Sequence, residues 1–114
     1  MHHNHNEELK QRLAKLLWEN GFGDEPYRNW RMAELMIIED GFLAWRQQAL
    51  KLQQAQAAGR AAGEDYQQGL NDFLNGVAYW IYATSLGMTW PSHDPETNWR
   101  IAGALRGWLC GVEF

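Results

Sequence analysis

Large apolar residues recur along this chain at alternating intervals of three and four, the spacing of helices that each bury one stripe. Leu9, Leu13, Leu16 and Leu17 make the first stripe and predict a helix from Asn6 to Glu19. Asn6 is placed to cap it, and Glu7 and Glu8 fall in the first turn, where the helix dipole favours negative charge. Asn20-Gly21 is the predicted stop, because glycine takes the left-handed conformation without a steric penalty. A longer, heptad-like seam follows: Leu35, Ile38, Phe42, Trp45, Ala49 and Leu52. Its helix is predicted to begin near Pro26, just after Asp24 and Glu25. Proline suits a first helical position, where its missing N–H would have no partner anyway. Gly41 interrupts the seam and predicts a bend or a close helix crossing. From Gln53 to Gly59 the sequence still permits helix but has little to bury.

A turn at Gly59–Gly63 leads to a helix predicted over Glu64–Leu86, with Tyr66, Leu70, Phe73, Val77, Trp80 and Thr84 as its seam. Two long seams joined by a short turn predict a central antiparallel helical hairpin. Gly69 and Gly76 lie seven apart, share a face, and predict close approach of a neighbouring helix. Gly87–Asp94 reads as a loop holding Trp90-Pro91. The last helix is expected to start near Pro95 under an Asp94 cap, to turn Ile101, Leu105, Trp108 and Leu109 inward, and to end near Gly111. The expected fold is thus all-α: one domain over residues 1–114, a compact bundle of four to five helices, with residues 1–5 a flexible His- and Asn-rich head. One internal similarity stands out. Residues 25–33 (Glu-Pro-Tyr-Arg-Asn-Trp-Arg-Met-Ala) match residues 94–102 (Asp-Pro-Glu-Thr-Asn-Trp-Arg-Ile-Ala) at five of nine positions. The same helix entry is used twice, either by duplication of a helical hairpin or as two separate solutions to starting a helix.

Composition agrees with helix. Valine occurs only at Val77 and Val112, proline at three positions, and Ala, Leu, Gln and Glu are plentiful. With 114 residues and 46% apolar content, the chain suffices for one core without metals or staples. No apolar run of about 18 residues exists, so no membrane association is expected. The start lacks the apolar centre of a signal peptide, and the single cysteine, Cys110, cannot form an internal disulfide. The expected location is cytoplasmic.

The net charge of −4 is unevenly placed. Acids and bases balance through residue 60, but between Arg60 and Arg100 there is no Lys or Arg. Direct nucleic-acid binding is disfavoured, since neutralising phosphates requires a basic patch. A protein with a basic surface is the better electrostatic match.

Candidate chemistry adds little. A free N-terminal amine with His3 in third place is a copper- or nickel-chelating pattern, and His2 and His5 add nitrogen, but a polar head gives such spacing by chance and no metal is assigned. His93 stands alone, without the Cys partners of a zinc site. Glu34 and Glu39 are five apart and do not share a helix face, and no Glu-x-x-His pair is present for a di-iron bundle. Asp65 and Asp72 do share a face, which is also the spacing of a solvated surface. Cys110, in Trp-Leu-Cys-Gly, has no activating neighbour, Ser85 and Ser92 lack a Gly-x-Ser-x-Gly setting, and no phosphate loop occurs. Neither catalysis nor a cofactor is expected.

Tryptophan is the anomaly, with seven residues in the chain. Trp45, Trp80 and Trp108 fall on core seams. Trp18, Trp90 and one of Trp30 or Trp99 are hard to bury in so small a domain. Trp, Tyr and Arg dominate protein-binding hot spots, so the expected contact surface joins the acidic stretch Glu64, Asp65 and Asp72 to Tyr82, Met88, Trp90, Asp94 and Glu96. In size, acidity and want of motifs the chain resembles small phage-encoded inhibitors, anti-CRISPR proteins among them. The likeness is one of profile, carried by no residue signature. It implies a stoichiometric inhibitor, monomeric or homodimeric, that covers a basic nucleic-acid-handling protein. A homodimeric adaptor, a toxin-immunity protein and a small helical metal-dependent hydrolase are the other readings of this sequence.

Overall fold

The computed structural model describes residues 5–23, 25–39, 41–88 and 94–111, with side chains from Glu7 onward. Five helices, α1 (His5–Glu19), α2 (Pro26–Ile38), α3 (Gly41–Ala57), α4 (Glu64–Gly87) and α5 (Pro95–Gly111), hold nearly all of them. No strand occurs among the described residues. The expected all-α bundle is what forms. Its extents are 40 × 40 × 23 Å. A helix with its side chains is about 10–12 Å across, so the slab is two helices thick.

Helix α1 begins at His5, which puts Asn6 inside the first turn instead of at the cap. The rest of the expected head, residues 1–4, lies outside the described residues. Leu9, Leu13 and Leu17 are buried and Leu16 is half-buried. At the far end the Phe22 N–H donates to the Leu17 carbonyl at 2.9 Å and the Gly21 N–H to Trp18 at 3.1 Å. This nested pair satisfies carbonyls that a helix end leaves open, and it requires a left-handed residue at Gly21, whose φ is 84°. The same device closes α3: Arg60 donates to Ala55 at 2.9 Å and Gly59 to Gln56 at 3.1 Å, with φ at Gly59 of 77°.

The second predicted helix is divided. Glu39 is extended (φ −69°, ψ 134°) and ends α2, and its N–H donates to Met36. A new helix starts at Gly41, where glycine's weak helix preference already lowers the cost of a break. Asp40 lies outside the described residues. The division changes which face α2 buries. Asn29, Met32, Ala33 and Met36 point inward, Leu35 is only partly covered, and Ile38 is 68% exposed. The seam holds from Phe42 onward, with Ala49 and Leu52 also buried.

Helices α3 and α4 form the expected antiparallel hairpin. Trp45 meets Trp80 edge to face at 5.4 Å, Leu52 lies opposite Gly69, and Ala55 shares a groove with Tyr66. A Cβ added at Gly69 would sit 3.4 Å from Leu52 Cδ2, whereas one at Gly76 would meet open space. Only the first of these glycines marks a close approach. Helix α5 packs along α4 and α3, and its Cys110 thiol donates to the Ala49 carbonyl at 3.4 Å. Phe22, Phe73, Ile81, Ile101, Leu105 and Leu109 are among the side chains at the centre.

The repeated helix entry has a structural counterpart. Helix α1 pairs chiefly with α2, and α4 with α5. Asn29 and Asn98, matched in the repeat, are 2% and 3% exposed. Met32 and Ala33 match Ile101 and Ala102, all buried. Two hairpins, α1–α2 and α4–α5, thus flank α3, and the second helix of each is entered through the same motif. Asp94 caps the second entry by accepting a 2.7 Å hydrogen bond from the Thr97 N–H. The first entry is held by Asn29, whose Nδ2 donates to the Gly23 and Glu25 carbonyls at 3.2 and 3.3 Å.

Candidate functional site

Helix α4 is the longest element, 24 residues, and its outer side carries most of the expected contact residues. Phe73, Val77, Ala78, Ile81 and Ser85 are buried, which turns the opposite face to solvent. Asp65, Asp72, Tyr79 and Leu86 are all exposed and follow one another at intervals of seven, a spacing that drifts only about 20° per step. Tyr82 is exposed beside them. The stripe thus changes from acidic to aromatic and aliphatic along its length, with Tyr79 72% exposed.

The expected residues occupy different levels of this helix and its neighbour. Glu64 and Asp65 stand exposed in the first turn, where the helix dipole favours negative charge. Asp72 lies two turns on. Met88 follows the helix end, half-buried, about 36 Å from Glu64 at 1.5 Å per residue. Asp94 and Glu96 are exposed at the start of α5. Trp90 lies outside the described residues. Asp65, Asp72 and Tyr82 belong to one continuous solvent face, whereas Glu64 and Met88 mark its two ends. The sequence reading omitted Tyr79 and Leu86, although continuing the Asp65–Asp72 interval by seven reaches both.

The acidic end is not uniformly negative. Asp65 and Asp72 border a groove of about 340 Å³ against α3. Lys51, Gln48 and Tyr66 line the same groove. Arg60 stands with Glu64 and Asp65 around a neighbouring hollow of about 520 Å³. Bases contributed by α3 and its turn therefore flank the acids of α4, while the aromatic end has no basic residue of its own helix near it.

A second apolar surface lies between α1 and α2. Trp18, 62% exposed, and Tyr27, 66% exposed, line an open groove of about 510 Å³. Ala14, Lys15, Pro26 and Trp30 also line it. One end is fastened by an ion cluster. Lys10 pairs with Glu7 at 2.8 Å and Glu34 at 3.5 Å, Arg31 also pairs with Glu34, and the Lys10 ammonium lies 5.5 Å from the Trp30 ring centre. The hydrogen bond to Glu7, joined by the charges of Glu7 and Glu34, raises the Lys10 pKa against the opposing effect of desolvation. The Arg31 hydrogen bond, aided by Lys10, lowers that of Glu34. Both groups are thereby held charged in a structural role. Among the described residues no three His, Cys, Asp or Glu side chains gather as a metal site, and no helix is long and apolar enough to cross a membrane.

Comparison with protein-family models, with curated proteins and with solved structures finds no match to this chain.

Proposed function

We propose that this protein acts by binding another protein through the outer face of α4, and that it inhibits its target stoichiometrically by covering it. The observation that carries this reading is the exposed stripe Asp65, Asp72, Tyr79 and Leu86, with Tyr82 beside it, on a helix without a single Lys or Arg. An aromatic and aliphatic patch supplies the apolar centre of an interface, and charges at its margin supply orientation and speed of encounter. The partner that fits is a protein whose surface sets basic side chains beside an apolar recess. A basic nucleic-acid-handling protein is the class we favour, because its phosphate-binding groove has that character.

Capture from a lysate on the immobilised chain tests this reading. A specific partner should be retained at low salt and released progressively as salt screens the acidic margin. Tyr79→Ala is expected to cost about 2 kcal/mol of affinity, as for an interface anchor, and Asp72→Lys to slow association. An identical captured set with both variants would remove α4 from the interface.

A further inference from the structure

The groove between α1 and α2 uses different helices from the α4 stripe and has a different chemical character. We infer that it is a self-recognition site, in which a second copy of this chain docks across a two-fold axis. A two-fold interface uses one patch on both molecules, so that patch must complement itself in shape and in charge. This one does both. In shape it sets large side chains beside a recess: Trp18 and Tyr27, both well exposed, line the open groove together with the small Ala14 and Pro26. The Trp18 indole of each copy enters the groove of the other. In charge it carries one group of each sign: Lys15 lines the groove, and Glu25 directly precedes Pro26 at the entry to α2. Both are exposed, and neither forms an ion pair among the described residues. The rotation sets the Lys15 of one copy against the Glu25 of the other. The basic partner inferred for α4 finds no acidic margin here, because among the described residues Lys15 is the only charged side chain that lines the groove.

The inference stands independently of the α4 reading. The two meet in one consequence: the dimer presents two α4 stripes and binds its partner bivalently.

Sedimentation velocity over a concentration series provides the test, with melting followed by circular dichroism as a check on folding. The wild-type chain is expected to pass from monomer to dimer, with no larger species. Trp18→Ala should weaken dimerisation roughly thirtyfold, the loss expected for a central tryptophan anchor, while its melting temperature stays close to wild type because the side chain is exposed. Lys15→Glu should also weaken the dimer, and the exchanged pair Lys15→Glu with Glu25→Lys should restore it. Tyr79→Ala should leave it unchanged. A wild-type chain monomeric throughout the series would overturn the inference. So would a dimer indifferent to Trp18→Ala, one dissociated by Tyr79→Ala instead, or a charge exchange that performs no better than Lys15→Glu alone.

Discussion

Phe22→Ala is expected to destabilise the protein by about 3–5 kcal/mol, the range for truncating a buried aromatic side chain. Phe22 lies in no helix, yet it is almost wholly buried and belongs to the central cluster with Leu17, Met32 and Ile101. Its position is fixed twice. The backbone is tied by the hydrogen bond from its N–H to Leu17, and the left-handed Gly21 before it aims the ring back across the end of α1. Surrounding helices cannot collapse into the vacated space without breaking that closure, so the cavity persists and the cost falls in the upper part of the range. Small domains have only about 5–15 kcal/mol in all, so this one change removes a large share. Urea denaturation reads it as a lowered midpoint at unchanged slope. Phe22→Met, which keeps most of the volume, should cost less than about 1.5 kcal/mol. Equal losses for the two variants would mean that the ring does not fill the core as described.

The second large effect is expected at Asn29. Its amide nitrogen donates to two loop carbonyls while its own oxygen, buried, has no hydrogen-bond partner. Asn29→Asp replaces the donor with an oxygen facing those same carbonyls and adds a buried charge. The expected cost near neutral pH is about 3 kcal/mol, a buried polar mismatch aggravated by charge. The sign of its pH dependence follows directly. Burial and the two carbonyls raise the folded-state pKa of the new carboxyl above its unfolded value. The penalty is therefore complete above the folded pKa and shrinks as pH falls through it, since the protonated acid can donate one hydrogen bond. Denaturation of the variant at neutral and at mildly acidic pH, each beside wild type, measures the difference. A deficit that stays constant or grows on acidification would contradict the geometry at the α2 entry.

What could be read from the chain alone differs between elements for physical reasons. Helices α1, α4 and α5 declare themselves because each has a continuous apolar stripe and a local end signal, such as Asn20-Gly21 or the Asp94-Pro95 entry. Gly41 marks the place of the break before α3 but not its extent, because Leu35, Ile38, Phe42 and Trp45 preserve helical spacing straight across it. Only the extended backbone at Glu39 shows that the seam changes helix, leaving Ile38 outside. Phe22 escapes for the complementary reason: periodicity assigns core residues within helices and says nothing of a loop residue folded back over a helix end. At the candidate surface, residue type pointed to Asp65, Asp72 and Tyr82. The interval of seven from Asp65 and Asp72 reaches Tyr79 and Leu86, but their exposure is plain only once the buried side of α4 is known, because an aromatic or aliphatic side chain in a helix is more often inside than out. The groove between α1 and α2 was legible only as a surplus of tryptophan. Its walls come from residues up to 19 apart in sequence, Gln11 to Trp30, and their meeting depends on how two helices cross.

The twin-hairpin plan bears on how this molecule opens. Within the first hairpin α1 and α2 are extensively packed, but that hairpin meets the remainder mainly through the narrower α1–α5 and α2–α3 contacts. The expected sub-global opening is therefore separation along that seam with both of its helices intact, above the fraying of helix ends and below global unfolding in free energy. Native-state hydrogen exchange should show the amides of α1 and α2 losing protection together, at a free energy below that of global unfolding and distinct from the amides of α4 and α5.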